Sequence, residues 1–229
     1  MTSTRTVLVT GGTGGLGTAT IDAFLADGWR VVAPVRPGSA GRVPAGAIVV
    51  QADVTVDADV RAAVQVAAAE AAAPLRAVVN LIGGFAADGL IADTPIERFE
   101  AMLTANLRPT YLATAAAVPY LISAGGGSVV CVSSRAAVSP FPGAAGYVTA
   151  KAAVLAFATA VDVEYRKQGV RCNTVLPSVI DTAANRAAMP DADHGSWVSP
   201  AAIAGTIRHL CSDEASSISG AQIPVYGQA

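Results

Sequence analysis

The sequence has few charges, few aromatic residues and no cluster of basic residues. Of its 229 residues, 14% are charged and 5% are aromatic, and 15 Lys and Arg residues stand against 17 Asp and Glu residues. A nucleic-acid partner would need a concentration of basic side chains, so we expect none. Because 52% of the residues are hydrophobic, a disordered chain is excluded and one compact domain over residues 1–229 is predicted.

Features of secreted, metal-binding and membrane proteins are also missing. Cys131, Cys172 and Cys211 are odd in number and widely spaced, which predicts buried free thiols rather than disulfides or a metal site. His194 and His209 have no partner at ligand spacing. The longest apolar runs fall short of the ~20 residues that span a bilayer, and the N-terminus lacks a signal-peptide pattern. We therefore expect a cytoplasmic protein without a metal or a membrane partner.

Short β-branched runs alternate with longer alanine-rich segments along the chain. This alternation is typical of βαβ units around a parallel sheet buried on both faces, and right-handed crossovers then give an α/β, doubly wound domain. The runs predict seven strands, at residues 6–10, 30–35, 47–51, 77–81, 128–132, 170–175 and 223–226. Helical spacing of apolar residues predicts helices at 16–27, 57–72, 96–123, 147–167 and 200–211.

The least regular segment, residues 178–199, follows the carboxyl end of a predicted strand. In open α/β sheets, ligands bind in the crevice beside the carboxyl ends of the strands. Long loops in compact domains usually have a function. The segment is therefore predicted to be a substrate lid, with an ordinary surface loop as the alternative.

A glycine-rich segment follows the first predicted strand and leads into a helix. Glycines allow a tight turn and let the backbone approach a pyrophosphate, which rests on the amides and the positive end of the helix dipole. The spacing is T-G-x-x-x-G-x-G rather than G-x-G-x-x-G, so a simple turn is an alternative for this motif alone. The segment reads Thr10-Gly11-Gly12-Thr13-Gly14-Gly15-Leu16-Gly17.

Tyr147 and Lys151 are spaced i, i+4 in a predicted helix, which places both side chains on one face. At ~4 Å and an effective dielectric of ~20, a cation favours the phenolate by about 4 kcal/mol, enough to lower a phenol pKa from ~10 to ~7. We therefore expect Lys151 to lower the pKa of Tyr147 so that the phenol exchanges protons near neutral pH. Chance is the alternative explanation of this pair taken alone.

In their order and spacing, these motifs resemble those of the short-chain dehydrogenase/reductase family, and the resemblance covers nearly the whole chain. The family's catalytic Ser, thirteen residues before the Tyr, falls on Ser134, and its Asn matches Asn106 in Thr104-Ala105-Asn106-Leu107. The resemblance implies a Rossmann-type domain and an NAD(P)H-dependent oxidoreductase. Such an enzyme transfers a hydride between the nicotinamide and a small-molecule carbonyl or alcohol.

The resemblance assigns a role to each of four residues. Tyr147 would be the general acid or base, and Ser134 would hydrogen-bond the carbonyl oxygen. Lys151 would lower the pKa of Tyr147 and bind the ribose hydroxyls of the nicotinamide. Asn106 would hold a water that links Lys151 to solvent.

Cofactor contacts are implied at further positions. Asp53 would accept a hydrogen bond from the adenine amino group, and Ile180 and Thr182 would meet the nicotinamide carboxamide. The middle of Asn80-Leu81-Ile82-Gly83 departs from the family's Asn-Asn-Ala-Gly pattern. The implied contacts are Gly11, Thr13, Gly15, Leu16, Gly17, Arg36, Asp53, Val54, Asn80, Gly83, Tyr147, Lys151, Pro177, Ile180 and Thr182.

The choice of nicotinamide cofactor depends on the end of the second predicted strand. An acidic residue there would accept a hydrogen bond from the ribose 2′-OH and repel a 2′-phosphate. This chain has Val35 followed by Arg36, whose guanidinium can bind a phosphate through two hydrogen bonds. NADP(H) is therefore favoured. NAD(H) is the alternative, because Gly14 stands where many NADP-dependent members carry a basic residue.

A narrower resemblance, to the dihydropteridine reductases of the same family, covers residues 185–193, Ser196-Trp197 and Gly83-Gly84-Phe85. It makes a quinonoid dihydropterin an alternative substrate, although Ser134 and Val35 depart from that group. An alternative of another class is a regulator that binds dinucleotide and does no chemistry. Family members are usually dimers or tetramers, so we expect a homodimer or homotetramer.

Overall fold

The computed structural model describes residues 4–228 as one α/β domain, and residues 1–3 and 229 of the predicted domain lie outside the described residues. Seven parallel strands form one sheet in the order β3-β2-β1-β4-β5-β6-β7, which confirms the predicted doubly wound fold. The strands are β1 (Thr6–Thr10), β2 (Arg30–Val35), β3 (Ile48–Gln51), β4 (Leu75–Asn80), β5 (Gly127–Val132), β6 (Val170–Pro177) and β7 (Gln222–Val225).

Helices cover both faces of the sheet. One face carries the first and last helices, and the other carries the second, third and fourth. The last helix shows how local sequence sets a boundary, because the Ser199 hydroxyl accepts a hydrogen bond from the Ala202 amide at 3.2 Å and Pro200 occupies the first turn. The helices are α1 (Gly15–Ala26), α2 (Asp57–Ala68), α3 (Ile96–Ser123), α4 (Ala145–Tyr165), α5 (Ala183–Ala188) and α6 (Pro200–Cys211).

The core lies on both faces of the sheet, as the continuous apolar strands predict. In β1, Val7 and Val9 pack beneath α1 and α6, whereas Leu8 packs on the opposite side with α2 and α3. Successive side chains of a strand point to opposite faces, so a strand covered by helices on both sides has no position for an exposed polar residue. The three cysteines are buried and free, which confirms their predicted state.

Several predicted boundaries differ from the structure, most of them by one or two residues. Strand β4 begins at Leu75 rather than residue 77, because Leu75 already pairs with Thr6 of β1. Helix α2 ends at Ala68 rather than residue 72. The segment 178–199 is not irregular throughout, because it contains α5, whose first turn is capped by the Thr182 hydroxyl accepting from the Asn185 amide at 3.2 Å.

Within the described residues, one helix, Ala145–Gln168, is long and apolar enough to cross a membrane by length and composition. It consists of α4 and the turn that follows it. This helix packs against α3 and β6, and it buries the ionisable side chains of Lys151 and Asp162. Its apolar surface therefore contributes to the interior of the domain.

The strand order reverses between β1 and β4, where the chain first moves outward to β3 and then returns to the other side of β1. At this switch point Thr10 and Asn80, the last residues of the two strands, lie opposite each other. Crossover helices leave on different sides of the sheet at such a point and open a crevice at the carboxyl edge. The glycine-rich segment and residues 81–84 line this crevice.

Candidate active site

The glycine-rich segment forms a turn so tight that a side chain does not fit at several of its positions. Gly11 has a φ of 78°, in the left-handed region. A Cβ added to Gly17 would lie 2.0 Å from the carbonyl oxygen of Gly11, and one added to Gly15 would lie 2.8 Å from the Thr182 methyl group. The backbone at Gly15 therefore approaches the base of α5, and Thr182 and Ile180 lie at the same edge of the sheet as the turn.

Helix α1 begins in this turn without a side-chain cap. Its N-cap residue is Gly14, which has no side chain to accept from the first amides. Uncapped amides at a helix N-terminus, together with the positive end of the helix dipole, form a binding site for a phosphate group. The sequence thus leaves these donors available for a pyrophosphate.

Asp53 and Arg36 lie at the carboxyl edge beyond β1. The Asp53 carboxylate accepts hydrogen bonds from the hydroxyl and the amide of Thr55, at 2.7 and 2.9 Å, and these bonds lower its pKa. Arg36 is exposed and begins a turn closed by the Ser39 amide donating to the Arg36 carbonyl at 3.1 Å. Gly38, with a φ of 81°, occupies the third position of this turn.

Two asparagines hold the chain on the β4 side of the crevice. The Asn80 side chain turns into the core, where its Nδ2 donates to the Thr114 hydroxyl at 3.0 Å, so only its backbone faces the crevice edge. Asn106 is fully buried in α3. Its Oδ1 accepts from the Gly84 amide at 3.2 Å, and its Nδ2 donates to the Gly84 carbonyl at 3.1 Å.

Gly83 fits closely between two of the predicted catalytic residues. A Cβ built at Gly83 would lie 2.5 Å from Asn106 Oδ1 and 2.9 Å from Lys151 Nζ. A larger residue would push these groups apart. The structure therefore brings Asn106, Gly83 and Lys151 together, as the motif spacing predicts.

Ser134 and Tyr147 meet across the gap between β5 and α4. Ser134 follows the end of β5 in extended conformation, and its hydroxyl accepts from the Ala136 amide at 3.2 Å. The Ser134 side chain lies close enough to the Tyr147 phenol to lower the pKa of that phenol. Tyr147 lies in the first turn of α4, so the start of this helix presents the phenol to the crevice.

The electrostatic expectation for Tyr147 was wrong. Burial raises the pKa of Tyr147, and the interaction with Ser134 offsets only part of this effect. Lys151 lies on the same helix face, but its Nζ donates to the Val132 carbonyl at 3.1 Å and is 6.0 Å from the centroid of the Tyr147 ring. Burial lowers the pKa of Lys151 to about 8. The buried ammonium is therefore stabilised by a hydrogen bond to a backbone carbonyl rather than by a direct contact with the phenol.

Sequence reasoning missed two parts of this site. The Ser133 hydroxyl donates to the Lys151 carbonyl at 2.7 Å and so joins the end of β5 to the turn of α4 that carries the lysine. The rings of Phe85 and Tyr147 pack edge to face, with centroids 5.0 Å apart. The sequence offers two signals for these contacts, the paired serines 133 and 134 and the Phe that follows two glycines. Neither signal identifies the residue that is contacted.

The residues present fit a nicotinamide dinucleotide. The tight turn with the uncapped start of α1 suits a pyrophosphate, Asp53 lies along the same edge, and Lys151 with Tyr147 lies beyond the switch point. Within residues 4–228, no group of three or more potential metal ligands occurs.

Comparison with known proteins agrees with this geometry. The family model described as short chain dehydrogenase matches residues 5–193. The chain is 30% identical to 2-(R)-hydroxypropyl-CoM dehydrogenase of Xanthobacter autotrophicus, over 97% of each chain. It is 32% identical to the 3-oxoacyl-acyl-carrier-protein reductase MabA of Mycobacterium tuberculosis, covering 97% of this chain and 92% of that one.

A solved structure extends the similarity to the whole domain. A short-chain type dehydrogenase/reductase from Mycobacterium ulcerans superimposes with a TM-score of 0.88 at 27% identity, covering 99% of this chain and 90% of that chain. With the glycine-rich turn, the Ser134 and Tyr147 pair and Lys151 assembled at one crevice, the chain belongs to the short-chain dehydrogenase/reductase family and is a nicotinamide-dependent oxidoreductase.

Proposed function

We propose that this enzyme interconverts a small-molecule carbonyl compound and its alcohol, with NADP(H) as the preferred cofactor and Tyr147 as the acid and base. The observation that carries the proposal is the proximity of the Tyr147 and Ser134 side chains at the carboxyl edge of the sheet, beside buried Lys151. Two hydroxyl groups that converge on one point can polarise a carbonyl oxygen and exchange a proton with it.

In the reductive direction, Tyr147 donates its phenolic proton to the substrate oxygen while the Ser134 hydroxyl donates a second hydrogen bond. The raised pKa of Tyr147 keeps the phenol protonated before the reaction, so the proton is available. The bound nicotinamide supplies or receives the hydride. Both hydroxyls stay in place for the reverse reaction, in which the phenolate removes the alcohol proton.

Lys151 and Asn106 support this pair. Lys151 Nζ uses one N–H for the Val132 carbonyl, and its remaining N–H groups are available for the ribose hydroxyls of the nicotinamide. Asn106 Oδ1 holds Gly84 and can accept a second hydrogen bond, which leaves it able to bind the water proposed to link Lys151 to solvent. Asn106 also fixes residues 83 and 84 beside the lysine.

The preference for NADP(H) rests on the turn after β2. Arg36 opens this turn, and Arg42 Nη2 donates to the Ser39 hydroxyl at 3.1 Å just beyond it. Two guanidinium groups and a hydroxyl thus belong to the segment that follows β2, and β2 ends without a carboxylate; both features support binding of a ribose 2′-phosphate by this segment. Lys or Arg at such a position favours the phosphorylated cofactor.

The names of the relatives support the substrate class but leave the direction open. One relative is named a hydroxypropyl dehydrogenase and another an oxoacyl reductase, and both names describe an exchange between an alcohol and a carbonyl. A regulator without catalysis has no observation in its favour. We further propose that residues 178–199 close over the substrate, and that the enzyme is a cytoplasmic homodimer or homotetramer.

Titration with NADPH and NADH, followed by nicotinamide fluorescence, tests the cofactor proposal. We expect tighter binding of NADPH, and Arg36→Ala should weaken NADPH binding by about 10-fold or more while NADH binding changes less than twofold. Lys167→Ala is the matched control, because it removes one positive charge from the exposed turn after α4, at the opposite edge of the sheet. A wild-type preference for NADH, or equal effects of both variants, would refute the role of Arg36.

A further inference from the structure

An exposed phenyl ring, that of Phe85, packs against the ring of Tyr147, and a second exposed ring, that of Phe141, lies next to Phe85. The Phe85 ring meets the Tyr147 ring edge to face at 5.0 Å, and the Phe141 ring lies 6.4 Å from that of Phe85 at an angle of 40°. Phe85 is 64% exposed and Phe141 is 45% exposed. Exposed apolar rings beside a reactive group indicate a binding surface, because hydrophobic burial would otherwise draw such rings into the core.

The backbone holds Phe85 in place although its ring is exposed. Phe85 directly follows Gly84, whose amide and carbonyl both hydrogen-bond the side chain of Asn106, at 3.2 and 3.1 Å. Asn106 is itself fully buried in α3. The backbone that carries the ring is therefore held in place, so Phe85 loses little conformational entropy when a ligand binds to it.

Phe141 is restrained in a different way. It lies between Pro140 and Pro142, and the two proline rings limit the backbone angles of the segment. The Gly89 amide donates to the Gly143 carbonyl at 3.3 Å, which ties the segment after Phe85 to the segment after Phe141. Both rings thus belong to one preformed surface, which we name the aromatic wall (Phe85 and Phe141).

We propose that the aromatic wall binds the flat, conjugated ring of the substrate and presents the ring carbonyl to Tyr147 and Ser134. The inference rests on the proposed function, because the substrate oxygen must reach these two hydroxyls. A planar ring stacks against the wall with favourable quadrupole geometry, whereas a puckered ring of the same size meets it at few points. The substrate class is therefore a cyclic aryl or quinone-like ketone.

The reaction on such a substrate is balanced by the proposed cofactor. The carbonyl carbon gains the hydride of NADPH, the oxygen gains the proton of Tyr147, and the C=O bond becomes a C–OH bond as NADPH is oxidised to NADP⁺. The aromatic wall takes no part in electron or proton transfer. Phe85 and Phe141 act on substrate selection alone.

Equilibrium binding of two matched ketones tests the inference without turnover. We would use 1-tetralone, which has a flat aryl ketone, and 1-decalone, its saturated and puckered counterpart, on the Tyr147→Phe enzyme with NADPH bound. Ligand-observed NMR gives both dissociation constants. We expect the flat ketone to bind about fivefold more tightly. Phe85→Leu should reduce this preference below about twofold, and Phe85→Tyr should preserve it.

Tyr111→Leu serves as the matched control, because Tyr111 is another exposed aromatic residue, on α3 in contact with Phe157 rather than Phe85. It should leave the preference unchanged. Equal affinities for the two ketones, or a Phe85→Leu variant with full preference, would overturn the inference. So would a Phe85→Leu variant that alters only the oligomeric state in size-exclusion chromatography.

The kinetics of the wild-type enzyme separate this inference from the proposed function. If 1-tetralone binds with the expected preference and is reduced, both are supported. If another carbonyl compound is reduced but 1-tetralone binds no more tightly than 1-decalone, the inference fails and the proposed function holds. If no carbonyl compound is reduced, the proposed function fails, and the inference fails with it.

Discussion

The two edges of the sheet use polar residues in opposite ways. At the carboxyl edge, Ser134, Tyr147 and the uncapped start of α1 keep hydrogen-bonding capacity for a ligand. At the amino edge, three arginines donate to backbone carbonyls at the ends of helices. Arg30 binds Val66 and Ala67 near the end of α2, Arg76 binds Ala124 after α3, and Arg171 binds Leu210 and Ser212 around the end of α6.

The difference follows from the direction of the helices. In a βαβ unit each helix runs antiparallel to the strands, so the amide-rich ends of helices lie at the carboxyl edge of the sheet and the carbonyl-rich ends lie at the amino edge. Amides attract anionic ligands, and carbonyls attract guanidinium groups. Function should therefore depend on the carboxyl edge and stability on the amino edge.

Tyr147→Phe should remove most of the activity at the carboxyl edge without destabilising the domain. Removing the phenolic hydroxyl deletes the proposed proton donor, so kcat/KM should fall by about 10²–10⁴-fold. The ring that packs against Phe85 remains, so the dissociation constant for NADPH and the thermal midpoint should change little. Steady-state kinetics and fluorescence titration measure both. More than a tenth of the wild-type activity would contradict the assigned role.

Arg171→Ala should have the opposite effect. The Arg171 guanidinium donates to the carbonyls of Leu210, Ile218 and Ser212 at 2.9 to 3.2 Å, and its loss leaves these carbonyls without that partner. We expect the free energy of unfolding to fall by about 2–4 kcal/mol, with kcat per folded molecule unchanged. Urea titration measures this loss.

Arg61→Ala is the control for Arg171→Ala, because Arg61 is an exposed residue of α2 whose ion-pair partner is Asp57 at 2.8 Å. Its urea midpoint should match that of the wild type. Equal losses of stability in the two variants would argue that the arginines of the amino edge act only through net charge.

A substitution of Lys151 tests whether this buried residue at the carboxyl edge lowers the stability of the folded domain. Burial lowers the pKa of Lys151 from 10.5 to about 8, so between these pH values the unfolded chain binds more protons than the folded one. The stability contribution of this group therefore rises with pH through that window, and its penalty is fully present below about pH 8.

Lys151→Met should consequently be more stable than the wild type at pH 7, by about 2–3 kcal/mol, and inactive. The advantage should decline from about pH 8 and disappear near pH 10.5, as urea titrations at several pH values would reveal. A difference that stays constant with pH would show that the lysine is not held at a lowered pKa.

Two helical glycines provide the smallest and most closely matched comparison. Gly17→Ala places a Cβ 2.0 Å from the Gly11 carbonyl oxygen, so it should shift the turn and weaken NADPH binding by about tenfold. Gly205 in α6 has no atom within 4 Å of an added Cβ. Gly205→Ala should raise the free energy of unfolding by about 0.5–1 kcal/mol without affecting binding. Similar binding losses in both would refute the close approach.

Much of the fold can be predicted because strands that are buried on both faces appear in the sequence as continuous apolar runs. The bounds of β2, α3 and α6 agree with the predicted ones, since each apolar run is flanked by turn residues or a cap. Helix α5 was missed, because its six residues are too few to display helical spacing and its start depends on the Thr182 cap.

The sequence predicts which residues form the site better than it predicts their electrostatic interactions. Motif spacing correctly brought Ser134, Tyr147 and Lys151 together, but i, i+4 spacing does not reveal that the ammonium turns to the Val132 carbonyl or that burial dominates the pKa of Tyr147. The contact of Phe85 with Tyr147 depends on tertiary packing between two loops, which no local pattern encodes.

Helix α4 carries Tyr147 and Lys151, the proposed catalytic residues, in its first two turns and forms part of the hydrophobic core along the rest of its length, where Val154, Ala158 and Val161 are buried. Heat inactivation should therefore coincide with loss of the whole fold, because these two residues cannot detach while the core survives. An activity assay then also reports how much of a variant is folded. New substrate specificities should arise by changes in the loops, because α4 cannot move without repacking the interior.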